Sequence, residues 1–502
     1  MTEEIRQTVA VDGRTLHLRR SGSGPAVVLL HESPRSSAVL VPLARRLAAD
    51  FTVFALDSPG FGQSDPLPVA RPTIHDFADA VVASLRALGL KRAPVYGTHT
   101  GACIAMAIAR QHPDFASGAV LDGYPVFTPE EQDSYAYQYF VQFEPVWDGQ
   151  HVVKLWSRVR DQYTFFPWYA LGRDSRILRD PPAPEAQTAV IRDFLASGSA
   201  HARGYEAAFR MEALAELDGT TVPVCFLCRE DDLLYPHLDR LPPLPGSMWI
   251  ERLGPDRQVL ADRIAAIFAG MVADGAPAPV FTTEGPRTGA LRAVAPGLLA
   301  RCYGGSGGDV LPLVLLPDLP GSPSDWDALA LREAGRRQVI SIHLPGCGVS
   351  PPLAGPAASD PEAVTDAIID GLAARGVTRF DLAGRGAGAW LARRLATRRP
   401  DTTGRLVLVD PPALDAAEPA APDPVTAPDW HAGHLLAAWF EARDRMLYRP
   451  WHRRQAAAAR LFGPGVDVQA VHATFRARVL AEGRDVALER RLLADATALK
   501  VA

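Results

Sequence analysis

Two stretches of this chain repeat each other without a gap. HVVKLWSRVRDQYTFFPW begins at His151 and HLLAAWFEARDRMLYRPW begins at His434. His151/His434, Trp156/Trp439, Arg160/Arg443, Asp161/Asp444, Pro167/Pro450 and Trp168/Trp451 all coincide. The repeat continues upstream at nearly the same offset. VVLLHESPRS (27–36) matches LVLLPDLPGS (313–322), and DSPGFGQS (57–64) matches HLPGCGVS (343–350). PVYGTHTGACIA (94–105) matches DLAGRGAGAWLA (381–392), and AVLDGYP (119–125) matches LVLVDPP (406–412), so that Asp122 and Asp410 read as the ends of equivalent strands. A register kept over so many segments identifies an internal duplication. Whatever the first half folds into, the second half must follow.

The total of 502 residues is too long for one core and suits domains of about 100–200 residues each. Pro, Gly and Thr collect in DGAPAPVFTTEGPRTG (274–289), the expected boundary. We therefore expect a first unit at 1–275 with a helical cap at about 125–215, a linker at 276–289 and a second unit at 290–502. The second is expected to be degenerate and C-terminally truncated, ending after its cap at ALKVA.

Apolar runs of strand length alternate with helical patterns. AVVLLH (26–31), FTVFALD (51–57), APVYG (93–97), GAVLDG (118–123) and VPVCFLC (222–228) read as buried parallel strands. Thr73 and Asp76 form a capping-box pattern that opens the helix IHDFADAVVASLRALGL. This alternation predicts an α/β fold with a parallel sheet covered on both faces.

With 22% charged residues and a net charge of −5, the chain is neither a polyelectrolyte nor a nucleic-acid binder. No uncharged apolar run reaches about 18 residues, so no membrane span is expected. The N-terminus has no apolar signal-peptide region. Five cysteines, Cys103, Cys225, Cys228, Cys302 and Cys347, suit reduced thiols in the cytoplasm. Cys225 and Cys228 form a C-x-x-C inside an apolar run, where a strand would point them to opposite faces; no second pair completes a zinc site.

Gly97-Thr98-His99-Thr100-Gly101 follows a strand and opens the helix ACIAMAIARQ. This is the placement and glycine spacing of a nucleophile elbow, G-x-S-x-G, with histidine where serine belongs. Together with DSPGFGQSD upstream and REDDLLYP downstream, the first half resembles the α/β-hydrolase superfamily. It looks closest to a bacterial group with an H-x-x-P-R-S loop and a G-H-H-T-G-A elbow, here HESPRSS and GTHTGA. The resemblance covers residues 10–270 well and 290–500 in degenerate form, and implies two hydrolase-like units with helical caps.

The resemblance also implies site residues. The loop His31-Glu32-Ser33 would supply one oxyanion-hole N–H, at Ser33, and Thr100 the other. Asp232 matches the acid of the family's triad. The family's histidine should stand near WIERLGPDRQ (249–258), where Asp256 and Arg257 occur instead; the nearest histidine is His237. In the second half the elbow reads Gly384-Arg385-Gly386-Ala387-Gly388 and carries no side chain at its centre. A glycine-rich turn before a helix there could bind an anion or be purely structural.

An imidazole at position 99 is large enough to reach Asp232 directly, giving a His-Asp dyad in which histidine serves as base near neutral pH. Such a base activates water, or takes a proton from a carbon acid held in the oxyanion hole. Glu32 is the candidate second acid/base. His31, Thr98, Asp122, His237 and Trp156 are the candidate pocket residues, and the aromatic segments 135–140 and 156–169 line an apolar pocket or belong to the core. No spacing supports a metal site, and no cofactor is expected. The leading expectation is a cofactor-independent hydrolase-like enzyme for a small carbonyl or ester compound. A silent binding or scaffold protein and a lyase, isomerase or cyclase are the alternatives. The second unit is expected to act as a built-in partner, an intrachain pseudo-dimer that further homo-oligomerisation would extend.

Overall fold

A computed structural model describes residues 4–140, 143–272, 290–295, 298–304, 310–348, 350, 353, 357, 359–411, 427–460, 465–481 and 484–498. The linker expected at 276–289 lies outside these residues. Two compact units form: Met1–Gln142 with Ser157–Gly285, and Phe143–Trp156 with Pro286–Ala502. The division thus departs from a simple cut near residue 275. A segment of the first repeat's insertion, Phe143–Trp156, counts with the second unit.

In the first unit the strands are β1 (Ile5–Val11), β2 (Arg14–Ser21), β3 (Ala26–Leu30), β4 (Thr52–Leu56), β5 (Ala93–Thr98), β6 (Ala116–Asp122), β7 (Val224–Arg229) and β8 (Met248–Leu253). Their order in the sheet is β1-β2-β4-β3-β5-β6-β7-β8. β3 to β8 pair in parallel, whereas β1, β2 and β4 pair antiparallel. The expected parallel strands are all present. The β1–β2 hairpin was not read from the sequence, although Asp12-Gly13, both with positive φ, is a strong hairpin signal. The helices are α1 (Val41–Leu47), α2 (Ile74–Ala87), α3 (Thr100–Gln111), α4 (Pro129–Gln138), α5 (Gln150–Asp161), α6 (Pro184–Ser197), α7 (His201–Phe209) and α8 (Arg257–Met271). α5 begins in the segment that counts with the second unit. Thr73 caps α2 in the expected capping box with Asp76.

Burial on both faces explains the near-continuous apolar strands. Val28 and Leu30 enter one core with α2 and α3, while Val27 and Leu29 enter the other with α1 and α8. Cys225 and Cys228 of β7 fall into these opposite cores, as an odd spacing in a strand requires.

The second unit repeats this plan with β9 (Ala290–Ala295), β10 (Leu298–Tyr303), β11 (Leu313–Leu316), β12 (Val339–His343), β13 (Phe380–Arg385) and β14 (Thr403–Val409). The sheet order β9-β10-β12-β11-β13-β14 is that of β1 to β6, and no strand among the described residues corresponds to β7 or β8. Its helices are α9 (Asp327–Ala334), α10 (Pro361–Ala374), α11 (Ala387–Arg398), α12 (Gly433–Leu447), α13 (Val468–Leu480) and α14 (Arg484–Ala498). Strand pairing corrects one sequence match. Thr98 lies opposite Asp122, and Arg385 lies opposite Val409. Asp410 therefore occupies the place of Gly123, and both have positive φ.

Within the second unit, the segment Phe143–Trp156 meets the start of α12 through matching contacts. Trp439 Nε1 donates to the Trp147 carbonyl at 3.2 Å, and Trp156 Nε1 donates to the Trp430 carbonyl at 3.3 Å. His151 stands edge-on to Trp439 at 4.4 Å, and His434 edge-on to Trp156 at 5.5 Å. Gly149, with positive φ, lies where a Cβ would come within 2.8 Å of the Trp439 ring. The doubled His and Trp positions are thus packing residues. Burial pushes His151 down to about 4, so the imidazole packs as a neutral ring. Trp439 is fully buried, and its truncation should cost about 3–5 kcal/mol. We expect Trp439→Ala to lower the denaturant midpoint accordingly; an unchanged midpoint would contradict this packing.

Candidate active site

The site is built where β5 turns into α3. At His99 the backbone takes φ 48° and ψ −110°, a region that costs a non-glycine residue about 1–3 kcal/mol. The flanking glycines are sterically required. A Cβ at Gly97 would stand 2.0 Å from the Gly101 carbonyl oxygen, and one at Gly101 would stand 2.3 Å from that of Leu30. The His99 N–H donates to the Asp122 carbonyl at 2.9 Å, tying the turn to β6. Gly123 then makes room for the imidazole, because a Cβ there would meet His99 Cδ2 at 2.5 Å. Sequence reasoning missed that role, although a glycine directly after a strand end was a visible signal.

The structure brings His99 and Asp232 together. His99 Nε2 lies 3.1 Å from Oδ1 and 3.0 Å from Oδ2 of Asp232. Asp232 Oδ1 also accepts the Leu234 N–H at 2.8 Å, which fixes the carboxylate. Burial works against the imidazolium, but the Asp232 carboxylate, with Glu32 and Asp122 beyond it, raises His99 to about 9. The same pairing overcomes the burial penalty on Asp232 and holds it well below the usual carboxylate range. The pair adds stability that is present in full below the free imidazole value of 6.5 and is lost as pH rises through about 9. This pairing favours the imidazolium form of His99 at neutral pH.

His99 lines a cavity of about 380 Å³ within the first unit, together with Glu32, Ser33, Thr100, Asp232 and Arg257. Its side chain is 36% exposed, and Nδ1 has no hydrogen-bond partner among the described residues. Glu32 likewise makes no side-chain hydrogen bond or ion pair among them. Thr100 opens α3, so its N–H has no helical acceptor. The Ser33 N–H meets no acceptor among the described residues, and its buried hydroxyl has no partner. Tyr139, Phe165, Phe166 and Trp168, from the expected aromatic segments, form part of the wall with Phe127 and Phe209, which sequence reasoning missed.

The remaining expected pocket residues do not line this cavity. His31 donates from Nδ1 to the Glu32 carbonyl (2.8 Å) and accepts the Ser58 N–H at Nε2 (3.0 Å), which shapes the loop. His237 is buried and accepts the Val126 N–H at Nδ1 (3.0 Å); burial pushes it down to about 4. Asp122 accepts the Tyr96 hydroxyl at 2.7 Å, and burial with the nearby Asp232 charge raises it to about 6. Thr98 hydrogen-bonds Tyr96. Trp156 is in the core of the second unit. Each is drawn into structure because a buried polar group must find a partner.

The second unit shows what the two elbow N–H groups do. Gly386 takes φ 55° and ψ −126°. Asp318, which aligns with Glu32, turns its own carboxylate onto the turn. Asp318 Oδ1 accepts the Ala387 N–H at 2.7 Å and the Leu319 N–H at 2.7 Å. These two donors align with those of Thr100 and Ser33, and they converge on one oxygen. The anion at this glycine-rich turn is the chain's own. Burial raises Asp318 to about 6 against the pull of the Ala387 N–H. A Cβ at Gly386 would stand 2.0 Å from the Asp318 carboxyl. We expect Gly386→Ala to destabilise the chain by about 1–3 kcal/mol, and Asp318→Ala in the same chain to recover part of the loss. A neutral Gly386→Ala in chemical unfolding would refute this crowding.

A parallel sheet of this order with a strained strand-to-helix elbow defines the α/β-hydrolase fold. The family model for the "alpha/beta hydrolase fold" matches residues 25–151, and that of the "Alpha/beta hydrolase family" matches residues 313–500. The chain is a tandem of two α/β-hydrolase domains. Its relatives include a 2-(acetamidomethylene)succinate hydrolase from Mesorhizobium japonicum, 33% identical over 131 residues, covering 26% of this chain and 47% of that protein. A fluoroacetate dehalogenase from a Burkholderia species is 32% identical over 181 residues, covering 34% of this chain and 59% of that protein. The chain thus spans about half the length of these relatives. The crystal structure of an E-2-(acetamidomethylene)succinate hydrolase superposes with a TM-score of 0.39 at 21% identity, covering 53% of this chain and 100% of that one. Among the described residues no helix is long and apolar enough to cross a membrane, and no cluster of three or more His, Cys, Asp or Glu side chains could hold a metal ion.

Proposed function

We propose that the first unit is a hydrolase-like enzyme for a small ester-type carbonyl compound, with His99 and Asp232 at the place of the usual nucleophile and acid. The observation that carries this reading is the imidazole held on both Asp232 oxygens while its other edge faces a cavity. Relatives named for hydrolysis or dehalogenation of small carboxylates support the substrate size.

In this reading the substrate carbonyl oxygen sits against the Ser33 and Thr100 N–H groups. Glu32 takes a proton from water as the water oxygen bonds to the carbonyl carbon. The oxyanion then collapses, the carbon–oxygen bond to the leaving group breaks, and His99 protonates the departing oxygen. The proton on Glu32 returns to His99 through solvent, which closes the cycle. Glu32 and an acidic His99 on the wall of one cavity also suit a second reading. There Glu32 removes a proton from a carbon acid and the same donors hold the enolate oxygen, as in a lyase or isomerase.

A panel of activated esters, thioesters and lactones tests the hydrolytic reading. We expect His99→Ala to lower kcat/KM by about a hundredfold or more; activity equal in both proteins, or absent in both, overturns it. With His99 as acid, kcat/KM should fall as pH rises through about 9, and Asp232→Asn should move that limb to lower pH. A rate that climbs through the same range would make His99 a base.

We also propose that the second repeat serves as a built-in partner. Supporting this, His151 and Trp156 of the first repeat are buried with Trp439 and His434. A 1–275 fragment lacks those contacts and should be insoluble or self-associating in analytical ultracentrifugation; a soluble monomer would count against the idea. Five buried free thiols fit a reducing, cytoplasmic setting.

A further inference from the structure

We propose that the cavity of the first unit selects an aromatic carbonyl compound that also carries a carboxylate, and that Arg257 holds this carboxylate. The inference rests on the reading above for the placement of the reacting carbonyl at the elbow. Aromatic rings form much of the wall, including Phe127, Tyr139, Phe165, Phe166, Trp168 and Phe209. Phe127 and Tyr139 each meet Phe209 edge to face, at 5.2 and 4.9 Å, so the wall is an ordered aromatic cluster. A volume of about 380 Å³ is enough for one or two fused rings with their substituents.

One cation on the wall has neither a hydrogen-bond nor an ion-pair partner among the described residues. Arg35 is neutralised by Asp193 at 2.6 Å, and Arg229 by both oxygens of Asp231 at 2.8 and 3.0 Å. Arg179 donates to the Asp231 carbonyl, and His99 is held by Asp232. Arg257 lines the same cavity, yet its guanidinium has no hydrogen-bond or ion-pair partner among the described residues. It stands at the first position of α8, just beyond β8, where the family's histidine would be expected. Asp256, beside it, spends its carboxylate on the Gln258 and Val259 N–H groups. Among the described residues, the carboxylates on the wall without a side-chain partner are Glu32, in the loop after β3, and Asp180, which directly follows Arg179. A guanidinium is the side chain best shaped to take a carboxylate through two parallel hydrogen bonds. From its place on the cavity wall it fixes one end of a ligand while the other end meets His99.

The test is binding of 2-naphthoate and 2-naphthamide, equal in shape and different in charge, to the full chain by calorimetry. We expect naphthoate to bind at least tenfold more tightly at low salt, with the preference shrinking as salt rises. Arg257→Gln should abolish the preference, and Arg257→Lys should keep part of it, both variants unfolding at the wild-type temperature. Asp180→Asn should leave the preference intact or enlarge it. Equal affinity for the two probes, no binding of either at millimolar concentration, or a preference that survives in Arg257→Gln overturns the proposal. Binding is read without turnover, so the two readings fail separately. A charge preference lost in Arg257→Gln, in a chain that turns over no ester, would sink the hydrolytic reading alone. Ester turnover dependent on His99, without any charge preference, would sink this one alone.

Discussion

Everything at the site follows from how closely β5 and α3 approach each other at the elbow. Gly97 and Gly101 have no room for a Cβ, so the chain must turn sharply, and the residue between them is forced to positive φ. The strain is held by burial: most of α3, from Thr100 to Ala109, is packed away from solvent. The turn lifts the His99 ring above the sheet and leaves the Thr100 N–H without a helical partner. The same backbone recurs at Gly386, where there is no side chain to present. The elbow is therefore a packing solution first and a chemical device second.

What the two units do with that backbone depends on one carboxylate. Asp318 bends back onto the Ala387 and Leu319 N–H groups, giving them the anion that such a turn favours. The glycine at 386 allows this, because any Cβ would collide with the Asp318 carboxyl. In the first unit His99 fills that space, and the carboxylate of Glu32, one methylene longer, makes no hydrogen bond among the described residues. One pair of donors is satisfied from within, and the other faces a cavity. Charge then sets the chemistry of the open site. Asp232 favours the charged form of the His99 imidazole, and the Glu32 side chain lines the same cavity without a partner among the described residues.

Much of this was legible in the residues. The buried strands announced themselves as apolar runs, the Thr73 capping box located α2, and the G-x-x-x-G spacing located the elbow. Asp232 could be placed because an acid after a late strand has a fixed position in this fold. The charge environment of His99 was not legible, because Asp232, Glu32 and Asp122 reach it from three separate segments of the chain. Nor were the roles of His31, His237 and Asp122. A buried imidazole or carboxylate takes whichever backbone or side-chain partner the fold delivers, and the chain order does not reveal that partner. The Asp12-Gly13 hairpin was visible and overlooked, since attention rested on the longer apolar runs that follow it.

Duplication, the succession of buried strands and helices along the chain, and the elbow are local or periodic properties, written as spacing and hydrophobic pattern, and the sequence by itself determined them. The tertiary structure decided which polar groups remain open at the cavity. It also decided that Phe143–Trp156 packs with the second unit, which makes the repeated His and Trp residues core contacts. Those outcomes turn on contacts between residues hundreds of positions apart, such as Trp156 with Trp430 or Trp147 with Trp439. Such contacts form only when packing brings the segments together, and no spacing along the chain encodes them.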